Sequence, residues 1–287
     1  RKHHTMETYT LTPVVAFAVV SFFLGELGDG LNIFQGIYLV NIGWNEGAIG
    51  IALSLMGFTA LICQTFAGDI IDKTTVDRRK ILVIAALMTA CSAMTVLFVR
   101  EGNQDHMLMY ATKIIEGVAS SFIGPCLAAL TLASFGPANF DHVMANNVLW
   151  GHVGSAASAI LAGAAAYFLY PKIKLCFCVV GFAALCAVLF MKFLPEGDPL
   201  MGRGFHGTGI TDSSSTISKN EVKSAEANAA SYLSVMSEPK TLVLCLTGFF
   251  FHCANANVLL VLGELMSEDN NNADDDGNDD DGVSRSA

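Results

Sequence analysis

The sequence predicts an all-α membrane protein: a six-helix bundle, a cytoplasmic linker and a seventh transmembrane helix. Of its 287 residues, 53% are hydrophobic and 15% charged, against about 25% charged in an ordinary soluble domain. The mean hydropathy is +0.50. A hydrocarbon core of roughly 30 Å needs about 20 apolar helical residues to cross it, and seven stretches qualify, near 12–40, 47–68, 81–99, 107–131, 145–170, 173–194 and 241–266. Residues 195–240 are the only long polar interruption between them.

Taken in order, residues 1–11 form a basic N-terminus, with Arg1 and Lys2 ahead of the first apolar run. That run holds Glu26 and Asp29 and is too long for the core of a cleavable leader, so it reads as a permanent span. Within it Glu26, Asp29, Asn32 and Gln35 recur at steps of three, each turned by about 60° from the last on a regular helix. They trace a slowly winding polar stripe. Carboxylates inside a membrane face a cavity or a partner; Asp29 is the first choice for proton coupling and Glu26 the second, against a packing role in which both bond to neighbouring helices.

Helix 2 is joined to helix 3 by a turn crowded with charge, Gly68-Asp69-Ile70-Ile71-Asp72-Lys73-Thr74-Thr75-Val76-Asp77-Arg78-Arg79-Lys80. Gly68 is expected to let backbones approach closely at the end of helix 2, with Asp72 and Lys73 at the membrane surface. In helix 4, Lys113 and Glu116 stand three apart and share a face. They read either as a local salt bridge or as a proton- or substrate-responsive pair facing a cavity. Asn147, Gly151, Gly154 or Ser155, and Ser158 trace a small-residue packing stripe in helix 5, beside His152, which lines a pathway or is a bonded structural histidine. Beyond the 195–240 linker, in which Val222, Ala225, Ala229, Tyr232, Leu233 and Met236 fit either a surface amphipathic helix or a disordered segment, helix 7 carries His252 and Asn255 on one face.

Charge excludes some functions and sets an orientation. The net charge of −10 owes seven units to residues 267–287, an acidic segment that reads as disordered, so no nucleic-acid partner is implied. With the N-terminus cytoplasmic, that side receives eleven Lys and Arg, including Lys73, Arg78, Arg79 and Lys80, and the other side four. Positive charge accumulates on the cytoplasmic side, which favours this orientation. All eight cysteines fall in the apolar stretches, and Cys176 and Cys178 point apart on a helix, so neither disulfides nor a metal site are expected.

The charged turn resembles the signature loop of the major facilitator superfamily of transporters, which reads Gly, three residues, Asp, Arg or Lys, one residue, Gly and a basic pair. Gly68, Asp72, Lys73, Arg78, Arg79 and Lys80 match in type; Thr75 holds the place of the second Gly, and the basic cluster arrives two residues late. Tyr110-Ala111-Thr112-Lys113-Ile114-Ile115-Glu116-Gly117 is similar to that superfamily's helix 4, with Lys113 for its Arg and Glu116 for its Gln. The resemblance implies two six-helix halves related by an axis along the membrane normal. It further implies alternating-access transport of a small solute, possible coupling to protons, and an acid in the loop that latches the cytoplasmic side against the other bundle. Helix 5 lacks the Gly-Pro pattern of the superfamily's antiporters, which weakens drug–proton antiport.

Because residue 1 is Arg and the sequence stops soon after its seventh apolar segment, it reads as a fragment or truncated gene product with the second bundle missing. The partners expected are lipid and a small-molecule substrate; no cofactor and no enzymatic activity are expected, since no His-Glu-x-x-His or nucleophile-elbow pattern occurs. The competing class is a seven-helix receptor or other non-transporting membrane protein. The charge bias and the lack of Asp-Arg-Tyr-like and Asn-Pro-x-x-Tyr-like ends count against it.

Overall fold

The computed structural model describes residues 12–27, 32–74, 76–100, 105–169, 173–198, 201–203 and 237–255. These contain helices and turns and no strand. The chain separates into two units, residues 1–222 and 223–287.

Helix α1, Pro13–Gly25, starts with Pro inside its first turn, where a missing N–H costs nothing. It ends in a π-type turn at Glu26 and Leu27, and α2 spans Asn32–Asn41. The sequence predicts one helix with evenly winding polar residues over 12–40; a π turn adds a residue to the turn, so the 60° winding does not carry through Glu26. Asp29 lies outside the described residues.

Helix α3, Glu46–Lys73, runs 28 residues, about 42 Å at 1.5 Å per residue, and so overshoots the hydrocarbon core. Asn45 caps it by accepting from the Gly47 N–H at 2.9 Å. The expected end at Gly68 is corrected: the helix continues for five more residues, supported by the Asp69–Lys73 ion pair one turn apart at 2.7 Å. Asp69, Asp72 and Lys73 therefore stand on a helical extension, and the described residues outside a helix there are Thr74, Val76 and Asp77. The Thr74 hydroxyl accepts from the Val76 N–H at 3.1 Å.

Helix α4, Arg78–Met94, continues through a 3-10 turn to Phe98. After α5, His106–Ser120, comes α6, Ile123–Phe168, which is not straight: Gly136 takes φ 70° and Pro137 follows. The Asn147 amide donates to the Thr131 hydroxyl at 3.1 Å, although residues sixteen apart on a straight helix lie about 24 Å apart. The helix thus folds back on itself at Gly136, and the connection expected at 132–144 is nearly all helical. Helix α7, Cys178–Met191, follows a 3-10 turn at Ile173–Phe177. In the second unit, α8 spans Pro239–Asn255.

In the first unit α1 packs on α6 and α7, α4 on α5 and α7, and α3 on α5. Phe17, Val20, Leu82, Leu130, Phe177 and Ala187 are among the side chains removed from solvent. Large apolar residues such as Phe58, Leu61, Phe66, Ile160 and Phe182 are exposed, which suits lipid as solvent. Glu46–Lys73, Arg78–Phe98 and Lys174–Met191, with the folded stretch His106–Phe168, are long and apolar enough to cross a membrane.

The turns alternate between two ends, as serial crossings require. At one end the Trp44 indole N–H donates to the Arg100 carbonyl at 3.3 Å and Arg100 pairs with Asp105, joining the α2–α3 and α4–α5 connections. At the other, Arg79 donates to the Leu194 carbonyl at 3.1 Å and the Asp198 N–H to the Ala133 carbonyl at 2.9 Å. That end gathers the charged turn, the reversal in α6 and the stretch after α7.

Candidate functional site

Two buried polar sites lie on two different helix interfaces. The first is where α1 meets the second arm of α6. Glycines set this contact: a Cβ on Gly25 would run into the Gly151 backbone, and one on Gly154 into the Phe22 backbone. The small-residue stripe of helix 5 is thus a packing surface, as small residues allow in membranes. The Ser155 hydroxyl donates to the Gly25 carbonyl at 2.7 Å, a carbonyl at the helix end where the π turn begins.

That approach seals Glu26. It is 3% exposed, faces the Ser158 hydroxyl, and neither carboxyl oxygen reaches hydrogen-bond geometry with any described residue. Ser21 Oγ, Gln35 Oε1 and Asn147 Oδ1 are likewise buried without a partner among the described residues, while the Asn147 amide is held by Thr131. Unpaired buried polar groups are costly, so each of these atoms stands out from the apolar packing around it. His152 is not brought to Glu26: one position beyond Gly151 on the helix, it is exposed.

The second site lies between α3 and α5. Lys113 Nζ pairs with Glu116 Oε2 at 2.8 Å, with the two residues 1% and 3% exposed. Lys113 also lies 4.0 Å from Met56 Sδ. Gly117 brings α5 so close that a Cβ there would lie 2.5 Å from the Met56 carbonyl oxygen. The pairing read from the three-residue spacing is therefore present, and both partners are out of solvent.

The charged turn is braced within the bundle. Asp77 caps α4, accepting from the Arg79 N–H at 2.9 Å, and its carboxylate also takes the Arg79 guanidinium at 2.8 Å. Three bases open that helix, where the dipole disfavours them, so Asp77 and Glu196, which also pairs with Arg79, offset a local excess of positive charge. The Arg79 hydrogen bond holds the Asp77 carboxyl below its ordinary value of 3.8. A depressed native pKa contributes stability that is complete above the ordinary value and is lost as pH falls through the native one. Asp77→Ala is expected to cost about 1 kcal/mol at pH 7 and to lose its effect in strongly acid buffer, read by thermal melting across pH.

Arg78 is buried, its guanidinium against Gly202, and Lys80 follows in the first helical turn. Asp72 stands on the α3 extension with Lys73. Gly68, expected to permit a close helix contact, has nothing within 4 Å of a Cβ placed there among the described residues; the close contacts fall instead at Gly25, Gly117 and Gly154. Asn32 lies in α2, and His252 and Asn255 in α8, but their side chains are outside the described residues.

Sequence reasoning passed over Thr131, Asp77 and Glu196. An Asp directly before a new helix is a cap signal and would have found Asp77. The Thr131–Asn147 pair depends on the reversal at Gly136-Pro137, which that dipeptide signals. Glu196 carried no local signal.

The sequence profile of the Major Facilitator Superfamily matches residues 11–269. Among curated proteins, the chain is 29% identical over 262 residues to uncharacterized MFS-type transporters from two strains of Mycobacterium tuberculosis, CDC 1551 / Oshkosh and ATCC 25618 / H37Rv, covering 89% of this chain and 57% of each relative. It thus spans somewhat over half the length of the relatives it matches. No solved structure matches it. With a family profile over most of its length, an all-helical fold and apolar crossing helices, the chain is an integral multi-pass membrane protein and belongs to the major facilitator superfamily.

Proposed function

We propose that the chain forms part of a secondary transporter that moves a small solute by alternating access, with coupling to protons through the carboxyls of the first span. The observation that carries this reading is Glu26, a carboxyl buried between α1 and α6 with no hydrogen-bond partner among the described residues. Only the Ser158 hydroxyl faces this carboxyl among the groups named here, and a carboxyl so lightly held can exchange a proton when the interface opens to water. Asp29, three residues on, carries the same expectation. The relatives' names support transport itself, and rocking of two bundles about a midplane site is the motion such repeats permit.

The basic end, with the charged turn, is the cytoplasmic one by the positive-inside bias. The Lys113–Glu116 pair, Gln35, Asn147 and His152 are the further proposed pathway residues of the first unit, and His252 and Asn255 of α8 are proposed pathway residues of the second. A second bundle from the remainder of a full-length transporter is the partner against which the Asp72 latch works.

The test uses vesicles from cells that express the native gene, screened with a panel of radiolabelled solutes. Uptake driven by an imposed proton gradient is expected to fall at least about tenfold in Glu26→Gln, a loss of about 1.4 kcal/mol of coupling, while solute counterflow without a gradient persists. Gradient-driven uptake at the wild-type level in both Glu26→Gln and Asp29→Asn would remove the proton-coupling claim. Absence of any solute flux in the wild type would remove transport.

A further inference from the structure

The stretch after α7 is built into the place where α6 turns back. Pro137 has no N–H, so the carbonyl of Ala133, four residues earlier, lacks its helical donor. The Asp198 N–H donates to that carbonyl at 2.9 Å. Gly197 makes the approach with φ 65°, in the region that favours glycine, and a Cβ there would lie 2.6–2.7 Å from the Ala133 carbonyl carbon, oxygen and Cβ. Gly202 then donates its N–H to the Asp198 carbonyl at 3.0 Å. Its Cα side faces the Ala129 carbonyl, the Ala133 methyl and the Arg78 guanidinium, leaving no space for a side chain.

The same stretch is held from the charged turn. Arg79 donates to the Leu194 carbonyl at 3.1 Å and pairs with Glu196, and it is itself fixed by Asp77. Residues 194–198 therefore bond on one side to the reversal in α6 and on the other to the first turn of α4.

We propose that Leu194–Asp198, with Gly202, is a clasp that couples the reversal at Gly136 to the charged turn at 74–80, so that loosening either one loosens the other. Coupling between two sites through one element is reciprocal. The clasp supplies the donor that Pro137 cannot, which holds the reversal in one arrangement, and presents the Leu194 carbonyl and Glu196 carboxylate that hold Arg79. This goes beyond transport and does not depend on what is carried.

Hydrogen exchange read by mass spectrometry on the full chain in lipid nanodiscs tests it. In Gly197→Ala, exchange is expected to quicken roughly tenfold or more in peptides covering 130–140, the reversal in α6, and also in those covering 74–81. In Arg79→Gln the same two regions quicken. Peptides covering 109–119 of α5 stay at the wild-type rate in both variants, which establishes that the bundle is folded, and Gly57→Ala, where a Cβ meets nothing within 4 Å, changes neither region. If Gly197→Ala does not fold, Arg79→Gln decides alone. Faster exchange confined to the mutated side, in either variant, overturns the clasp.

Discussion

Lys113→Met is expected to destabilise the protein by about 3–5 kcal/mol, the cost of leaving Glu116 charged and unpaired where neither residue reaches solvent. Glu116→Met is expected to do the same by stranding Lys113. The double variant, which replaces the pair by apolar side chains of similar length, is expected to recover most of that loss, because a buried ion pair contributes little net stability beyond an apolar substitute. Thermal midpoints in detergent micelles read all three. If either single variant melts within a degree or two of wild type, the pair is not buried as described. The double variant also separates the two roles open to the pair: a purely structural bridge predicts normal uptake once stability returns, whereas a proton- or substrate-responsive pair predicts a stable protein without uptake. The reading adopted above is the second.

Gly154→Val is the other large expected effect. Its added carbons would enter the space of the Phe22 backbone, and a helix backbone cannot retreat as a flexible side chain can. The cost expected is about 1–3 kcal/mol or more, the range for overpacked cores, accompanied by separation of α1 from α6. Because the same approach seals Glu26, the variant also opens that carboxyl to water. A cysteine placed at Ser158, which faces Glu26, should then react with a water-soluble maleimide much faster than in the Gly154 background. An unaltered melting midpoint together with an unreactive Cys at 158 would show that α1 and α6 do not touch there. Gly151→Ala makes a graded control, since its Cβ would meet the Ser21 carbonyl at an ordinary 3.7 Å.

These two sites differ in how much of them the sequence disclosed. The Lys113–Glu116 pairing follows from helical spacing alone, and the structure adds only which helix buries it. The Glu26 environment needed the fold, because Ser158 lies 132 positions away along the chain and nothing local marks it as the neighbour. The apolar runs announced the crossing helices, since hydropathy reports a solvent that every lipid-facing residue shares. Helix ends were less legible: α3 passes Gly68 because Asp69 and Lys73 pair along it, an effect hydropathy does not weigh. The reversal in α6 was misplaced as a long connection because its flanks, such as Ser134, Phe135 and Asn139, are polar and aromatic yet still helical. The π turn at Glu26 and the clasp after α7 arise from tertiary contacts and leave no periodic trace.

Transport, orientation and the latch all rest on the two ends of the bundle lying on opposite sides of a membrane, with the charged turn inside. Val76 in that turn is 54% exposed, and Met107 at the opposite end is 83% exposed. Each is replaced singly by cysteine in sealed cells, and labelling with a membrane-impermeant maleimide is compared before and after permeabilisation, over the background of the parent protein. The account predicts that Met107→Cys labels in sealed cells and that Val76→Cys labels only once the membrane is opened. Labelling of both in sealed cells, or of Val76→Cys alone, would contradict it.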